Sequence, residues 1–387
     1  MAMENSCFDA IVIGLGSMGS AACWRLAQRG AKVLGLDTFS PPHRRGSHGG
    51  DSRIVRLAYF EHPDYVPLLQ KAYQGWDELA EWKGIAVFER TGLLYFGPAH
   101  HPLISGALES SRLYSVPIER AMATSYPLFH VPHDYCCLLE RNAGFVRPDL
   151  AIQAMLEAAQ QYGSQHRTQE RVLEWKHERG EIRVNTERGI YRAKKLIVTA
   201  GAWGGSVLAQ LKAQLQVSLQ TLVWAKAKNP AQVAVGTLPC WTLADEQYPG
   251  IFYGFPAIPS MVDGSIRGFK LAHHAPGITV TDVDREDPVP QPDSLASVRD
   301  ILDRYFPNQF EDELEVETCR YTNSPDGDFI IDSLPDSNQS VVYALGFSGH
   351  GFKFAPAIGE VLADLALAGE TQIPIGFLSA GRFRYNV

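Results

Sequence analysis

The chain has 387 residues, 45% of them hydrophobic and 20% charged, which is the balance of a globular protein with room for two domains or one large one with an inserted part. A formal net charge of −8 argues against a nucleic-acid partner, and no polybasic run marks a membrane surface. No apolar stretch approaches the roughly 20 residues that span a bilayer, the short polar start does not read as a signal peptide, and the six scattered cysteines lack metal-ligand spacing and the density of a secreted scaffold, so a metal-free cytoplasmic protein is expected.

Phe8 to Ile13 is short and β-branched and predicts a buried parallel strand. Gly14-Leu15-Gly16-Ser17-Met18-Gly19 follows, then a helix over Ser17 to Arg29 that Gly30 ends, then a strand over Lys32 to Leu36 closing on Asp37. Strand, glycine turn, helix, strand and acid is the order of a dinucleotide-binding unit. In it Gly14 turns the chain, Gly16 clears room for a pyrophosphate, Gly19 lets helix and strand pack, and Asp37 accepts hydrogen bonds from a ribose.

Phe39 to Arg56 reads as irregular and basic. Helices are expected over Tyr65 to Trp82 and Pro148 to Tyr162, with a strand over Thr91 to Gly97 between them. Strands over Val172 to Trp175 and Ile182 to Thr186 flank a turn at Arg179-Gly180, and Lys195 to Trp203 reads as a buried strand running into a glycine turn. From Leu219 to Glu317 the chain holds aromatic strands such as Gly250 to Phe255, the proline-rich run 287–292 and a short helix over Ser294 to Tyr305. Near the end, Gly346-Phe347-Ser348-Gly349-His350-Gly351-Phe352-Lys353-Phe354 places three glycines, a histidine and a lysine just before a packed helix over Ala357 to Leu367. Such a loop lets backbone N–H groups approach a ligand, with the helix start aimed at negative charge.

Single residues leave two readings open. Cys319 is a buried apolar thiol or, with Arg320 beside it favouring thiolate, a nucleophile. Lys270 is a solvated strand lysine or an ammonium placed to stabilise charge developing on oxygen. Arg53 and Arg56 stand three apart, which shares a face on a helical turn, and are a surface pair or an anion clamp. His48 and His274 are structural or acid–base groups, and Tyr253 is core or site. Lys353, held between Phe352 and Phe354, is oddly placed for a solvated lysine.

Taken together, the chain resembles the monomeric sarcosine oxidase family of flavoproteins, which includes N-methyltryptophan oxidase and pipecolate oxidase. The likeness runs along nearly the whole chain. It is carried by Pro41-Pro42-His43, Gly46 to Arg53, Tyr253-Gly254-Phe255-Pro256, Cys319 to Asp332 and Gly346 to Phe354. It implies an α/β fold, with a Rossmann-like FAD-binding domain of the glutathione reductase and D-amino acid oxidase type and a mixed-sheet substrate domain. The implied division gives 1–90, 145–218 and 318–387 to the FAD-binding domain, and 91–144 and 219–317 to the substrate domain.

The resemblance also implies roles. FAD is expected to be attached through its 8α-methyl group to Cys319, with Lys270 near flavin N5 promoting reaction with oxygen and Arg53 beside the ring. Arg56 and Lys353 match a pair that grips a substrate carboxylate, and Tyr253 and His274 match residues lining the substrate cavity. Ser17, Met18, His43, Ser47, His48, Ser52, Val172, Trp203, Gly346, Gly349, His350, Gly351 and Phe352 fall in segments that contact FAD in the family. This chain departs from the family at Gly49, where a second histidine is common, at Ser52, where threonine is common, and in a longer connection between Pro256 and Gly268. The implied reaction is oxidation of the C–N bond of a secondary amino acid by a monomer, giving imine, then aldehyde and amino acid, while O2 becomes H2O2. The alternative is an FAD amino-acid dehydrogenase with another electron acceptor.

Overall fold

The computed structural model describes residues 7–284 and 292–383. Phe8–Ile13 is the expected first strand and lies inside a wholly parallel set. Across that set stand Val341–Leu345, Ile190–Val198, Phe8–Ile13, Val33–Leu36 and Gln165–Arg167. Parallel strands need cover on both faces, and alternate residues supply it. Ala10 and Val12 face the core formed by helices Ser17–Gln28, Pro148–Gln161 and Ala355–Leu367. Ile11 and Ile13 face a second core, with Ile182 and Val184 of the antiparallel extension Val172–Glu178 and Glu181–Thr186.

A second, mixed sheet has nine strands. Its long ladder pairs Gln216–Ala227 with Phe310–Asn323, antiparallel. From Gln216–Ala227 it runs through Phe269–His274, Ile251–Phe255, Cys240–Leu243 and Leu93–Gly97 to Cys136–Glu140. Trp241, Phe252, Phe269 and Phe306 fill one face under helix Pro292–Tyr305. A small sheet of Arg53–Val55, Gly144–Val146 and Phe88–Glu89 completes the set.

Element types match the sequence reading, with differences at the ends. The strand expected from Lys195 starts at Ile190 and stops at Val198, so Trp203 lies in a tight turn over Gly201–Trp203. Arg53 opens a strand and Arg56 follows it, so the two arginines do not share a helical face. The turn at Arg179-Gly180 is present, both residues having positive φ. The expected divisions at 218/219 and 317/318 fall inside the paired strands Gln216–Ala227 and Phe310–Asn323. The proline-rich run lies outside the described residues except for Pro292, which opens its helix.

Candidate active site

Two cavities meet in this frame. The larger, about 600 Å³, starts at the carboxyl end of the first strand and is lined by Gly14, Gly16, Ser17, Met18 and Asp37. Gly14 has φ +93, and a Cβ there would stand 2.7 Å from the Thr199 carbonyl oxygen, so only glycine fits. Gly19 does not line the cavity; a Cβ on it would overlap the Gly14 carbonyl, which presses helix Ser17–Gln28 onto the turn. That helix has no side-chain cap at Gly16 and no acid in its first turn, which leaves its N–H groups for an anion. Asp37 is fixed by the Leu15 N–H at 2.7 Å and the Phe39 N–H at 2.8 Å.

Further along stand His43, Ser47, His48 and Arg53, with Val172 and Trp203 among the residues of the wall, and the cavity extends to Gly346, Gly349, Gly351 and Phe352. Trp203 Nε1 donates to Asp284 at 2.7 Å, and its ring lies 5.7 Å from that of Phe39. Burial, then the charges of His43 and Arg53, push His48 down to about 3, so the ring is neutral. Its Nε2 and the Nδ1 of His43 are buried without a hydrogen-bond partner among the described residues. Both residues line the larger cavity, so a ligand there can complete their bonding. A helix start open to an anion, the Asp37 carboxylate on the cavity wall, orphaned ring nitrogens and a second glycine loop together fit an extended dinucleotide.

The smaller cavity, about 70 Å³, shares Arg53, Gly349 and Phe352 with the first and is lined by Arg56, Glu61, Tyr253, His274, Tyr321, His350 and Lys353. The Arg56 guanidinium lies 2.6 Å from both Glu61 carboxylate oxygens and donates to the Ala58 carbonyl at 3.1 Å. Burial raises the Glu61 carboxyl, but Arg56, then His350 and Lys353, hold it at about 2. Lys353 Nζ donates to the His350 carbonyl at 2.6 Å, and burial followed by Arg56 brings the ammonium down to about 7. His350 Nε2 lies 3.0 Å from the Gly327 carbonyl, which can only accept, so Nδ1 accepts from the Tyr59 hydroxyl at 2.5 Å. His274 Nδ1 is 3.3 Å from the Tyr321 hydroxyl, and burial lowers the ring to about 4. Burial raises Tyr253 to about 12.

Lys270, Ser52 and Cys319 line neither cavity. Lys270 is buried on strand Phe269–His274 and donates to the Gly50 carbonyl, to the Ser52 carbonyl at 3.0 Å and to the Ser52 hydroxyl at 3.2 Å. Cys319 is buried on the long ladder opposite Gln220. Burial raises its thiol, and the cations that oppose this are Arg53 and Lys270. The expectation that Arg320 favours the thiolate is therefore corrected. Successive strand residues point to opposite faces, and Arg320 donates to the Arg45 carbonyl at 3.1 Å.

Among the wall residues that sequence reasoning missed, Tyr321, Glu61 and Glu170 carry polar contacts. Tyr321 was within reach, because a residue two past Cys319 on a strand shares its face. Glu61 lies in a loop with no periodic signal. Glu170 lines the larger cavity and accepts from Thr186 Oγ1 at 2.5 Å and the Tyr191 hydroxyl at 2.9 Å, neither of which its sequence neighbourhood announces.

The DAO family, described as FAD dependent oxidoreductase, matches residues 9–365. Monomeric sarcosine oxidase of Streptomyces avermitilis is 36% identical over 383 residues, covering 97% of either chain. The chain belongs to the monomeric sarcosine oxidase family of FAD-dependent oxidoreductases. Another relative, N-methyl-L-tryptophan oxidase of Salmonella newport, is 34% identical over 387 aligned residues, 97% of this chain and 99% of its own. The structure of NikD, an amino acid oxidase essential for nikkomycin biosynthesis, shares the fold. It has a TM-score of 0.83 at 24% identity and covers 97% of this chain and 98% of that one. Membership in an FAD-dependent family agrees with the fit of the larger cavity to an extended dinucleotide.

Proposed function

We propose that the protein oxidises the C–N bond of a small N-methyl or cyclic amino acid and passes the electrons to oxygen. The observation that carries this is the meeting of the two cavities at Arg53, Gly349 and Phe352, with two cationic side chains, Arg56 and Lys353, on the wall of the smaller one. The relatives named for sarcosine and N-methyltryptophan oxidation support the same reading.

Gly14, Gly16, Ser17, Met18 and Asp37 hold the dinucleotide part of FAD, Gly19 lets the helix pack onto that turn, and the segments at 43–53, 172, 203 and 346–353 hold the rest. Cys319 is the point of covalent attachment, with Arg53 and Lys270 as the cations that draw its thiol toward thiolate. When bound, FAD would supply a two-electron acceptor for the hydride equivalent on the carbon beside nitrogen, and a donor of those two electrons, with two protons, to oxygen to give hydrogen peroxide. Arg56 and Lys353 bind the substrate carboxylate, and each charge-assisted contact contributes about 1.5–3 kcal/mol. Arg56 shares its guanidinium with Glu61, so the arriving carboxylate competes with Glu61. The cations around the cavity disfavour a protonated substrate amine, which must be neutral to react. Tyr253 and His274 close the cavity around the reacting end, and the imine that leaves hydrolyses to aldehyde and amino acid. Lys270 promotes the reaction with oxygen. The protein acts as a cytoplasmic monomer, with the five-segment division given above. In support of that division, the parallel strands come from 8–36, 165–198 and 341–345, whereas Leu93–Gly97 and Cys136–Glu140 join the mixed sheet.

The test is a panel of sarcosine, N-methyltryptophan, proline and pipecolate, read by peroxide and aldehyde release. At least one member gives peroxide, and Arg56→Ala or Lys353→Ala raises its KM by about tenfold or more. The same protein precipitated with acid keeps its yellow colour in the pellet, and Cys319→Ala releases it. An FAD-loaded protein that yields no peroxide from any member would sink the oxidase reading.

A further inference from the structure

Arg267 ends the longer connection 257–267 and stands three residues before Lys270. Its guanidinium lies 3.6 Å from the Trp224 ring centroid. It reaches three carboxylates: Asp51 at 2.7 Å, Glu315 at 2.5 Å and Glu317 at 2.8 Å. Arg44 joins the group, 2.5 Å from Glu317 and 3.7 Å from Asp51. Glu315 and Glu317 lie on the strand that carries Cys319, whereas Asp51 lies in the loop that leads into the strand opened by Arg53. The five charges therefore tie that loop to that strand.

Asp51 has φ +64 and follows Gly50 at φ +90. Left-handed backbone is unfavourable for a non-glycine residue, and the Arg267 guanidinium on its carboxylate holds Asp51 in that conformation. With the turn in this shape, the Gly50 carbonyl, the Ser52 carbonyl and the Ser52 hydroxyl all accept from Lys270 Nζ. A Cβ on Gly50 would overlap Leu222 Cδ1 and would reach ordinary contact with Lys270 Nζ at 3.4 Å and the Trp224 ring at 3.6 Å, so the turn lies directly against the ammonium. Trp224 pairs with Lys270 across one ladder and with Glu315 across the other, so the ring under Arg267 belongs to the same assembly.

We propose that Arg267 is a positioning residue for the reaction with oxygen: through Asp51 it fixes the turn over 50–52, whose oxygens seat the Lys270 ammonium. The proposal rests on the role given to Lys270 above.

The experiment uses flavin-loaded wild type, Arg267→Gln, Lys270→Met and the double variant. Flavin reduction by substrate is timed without oxygen, and reoxidation is timed after mixing the reduced enzyme with oxygen. Arg267→Gln slows reoxidation by about tenfold and reduction by less than about twofold, since a small misplacement of a reacting group costs rate chiefly in its own step. The double variant reoxidises no more slowly than Lys270→Met alone, because the two residues act along one path. Arg267→Lys, which keeps a charge toward Asp51, recovers part of the rate. Amide hydrogen exchange supplies a readout independent of turnover: residues 50–53 exchange faster in Arg267→Gln than in wild type. If Lys270→Met slows reoxidation and Arg267→Gln does not, the positioning role is wrong and that of Lys270 stands. Unchanged exchange at 50–53 overturns the proposal whatever the rates. If Lys270→Met reoxidises at the wild-type rate, the oxygen role of Lys270 fails and the proposal falls with it.

Discussion

Burial, and then the charge of Arg56, bring the Lys353 ammonium down from its ordinary range to about 7. The proton must be on for Lys353 to hold a carboxylate, and a bound carboxylate raises the value again. Affinity is therefore full below about pH 7 and is lost as pH rises from there toward the value in the complex. A carboxylate inhibitor without an amine isolates this effect from the ionisation of the substrate amine. Its Kd, measured from pH 6 to pH 9, weakens by up to about tenfold per unit above pH 7, and Lys353→Met flattens the profile. A flat wild-type profile would remove Lys353 from the clamp. Lys353 was legible in the sequence because an ammonium between two phenylalanines after a glycine loop has no bland explanation. Glu61 was not, because a loop carboxylate five residues past Arg56 meets its partner only through the path of the folded backbone.

Two helices begin beside the larger cavity and pack on each other. Helix Ala355–Leu367 meets helix Ser17–Gln28 at Gly359, where a Cβ would stand 2.6 Å from the Ala21 carbonyl. Glu360 continues the contact with Arg29 at 2.9 Å and Arg25 at 3.3 Å. The obstruction at Gly359 is backbone, which cannot swing aside as a flexible side chain can. Gly359→Val therefore loses about 1–3 kcal/mol by overpacking, read as a lower denaturant midpoint with an unchanged slope, and it retains less FAD because both loop-to-helix junctions move. Wild-type stability in this variant would mean that the helix pair is loose. The periodicity of both helices and the glycine loops ahead of them were visible in the sequence. The strand at Arg53 was not, since three residues carry too little pattern to reveal an element.

Across the whole molecule, the chain leaves and re-enters the parallel sheet, so that residues far apart in sequence face one space. The cavity walls draw on Gly14, Asp37, Val172, Trp203 and Gly346 for one side and on Arg56, Tyr253, His274 and Lys353 for the other. The motifs at both ends made the dinucleotide half legible. The join between the halves depends on the long ladder of Gln216–Ala227 with Phe310–Asn323, a pairing whose register no local pattern specifies. That join is the centre of the account, because it sets the cavity proposed to bind the carboxylate against the one proposed to hold FAD. The direct test is the flavin absorption of the purified protein, followed without oxygen as N-methyl and cyclic amino acids are added, and again after air is admitted. The account predicts that one of these substrates bleaches the flavin band and that air restores it with release of one equivalent of peroxide. A flavin band that none of them bleaches would contradict it.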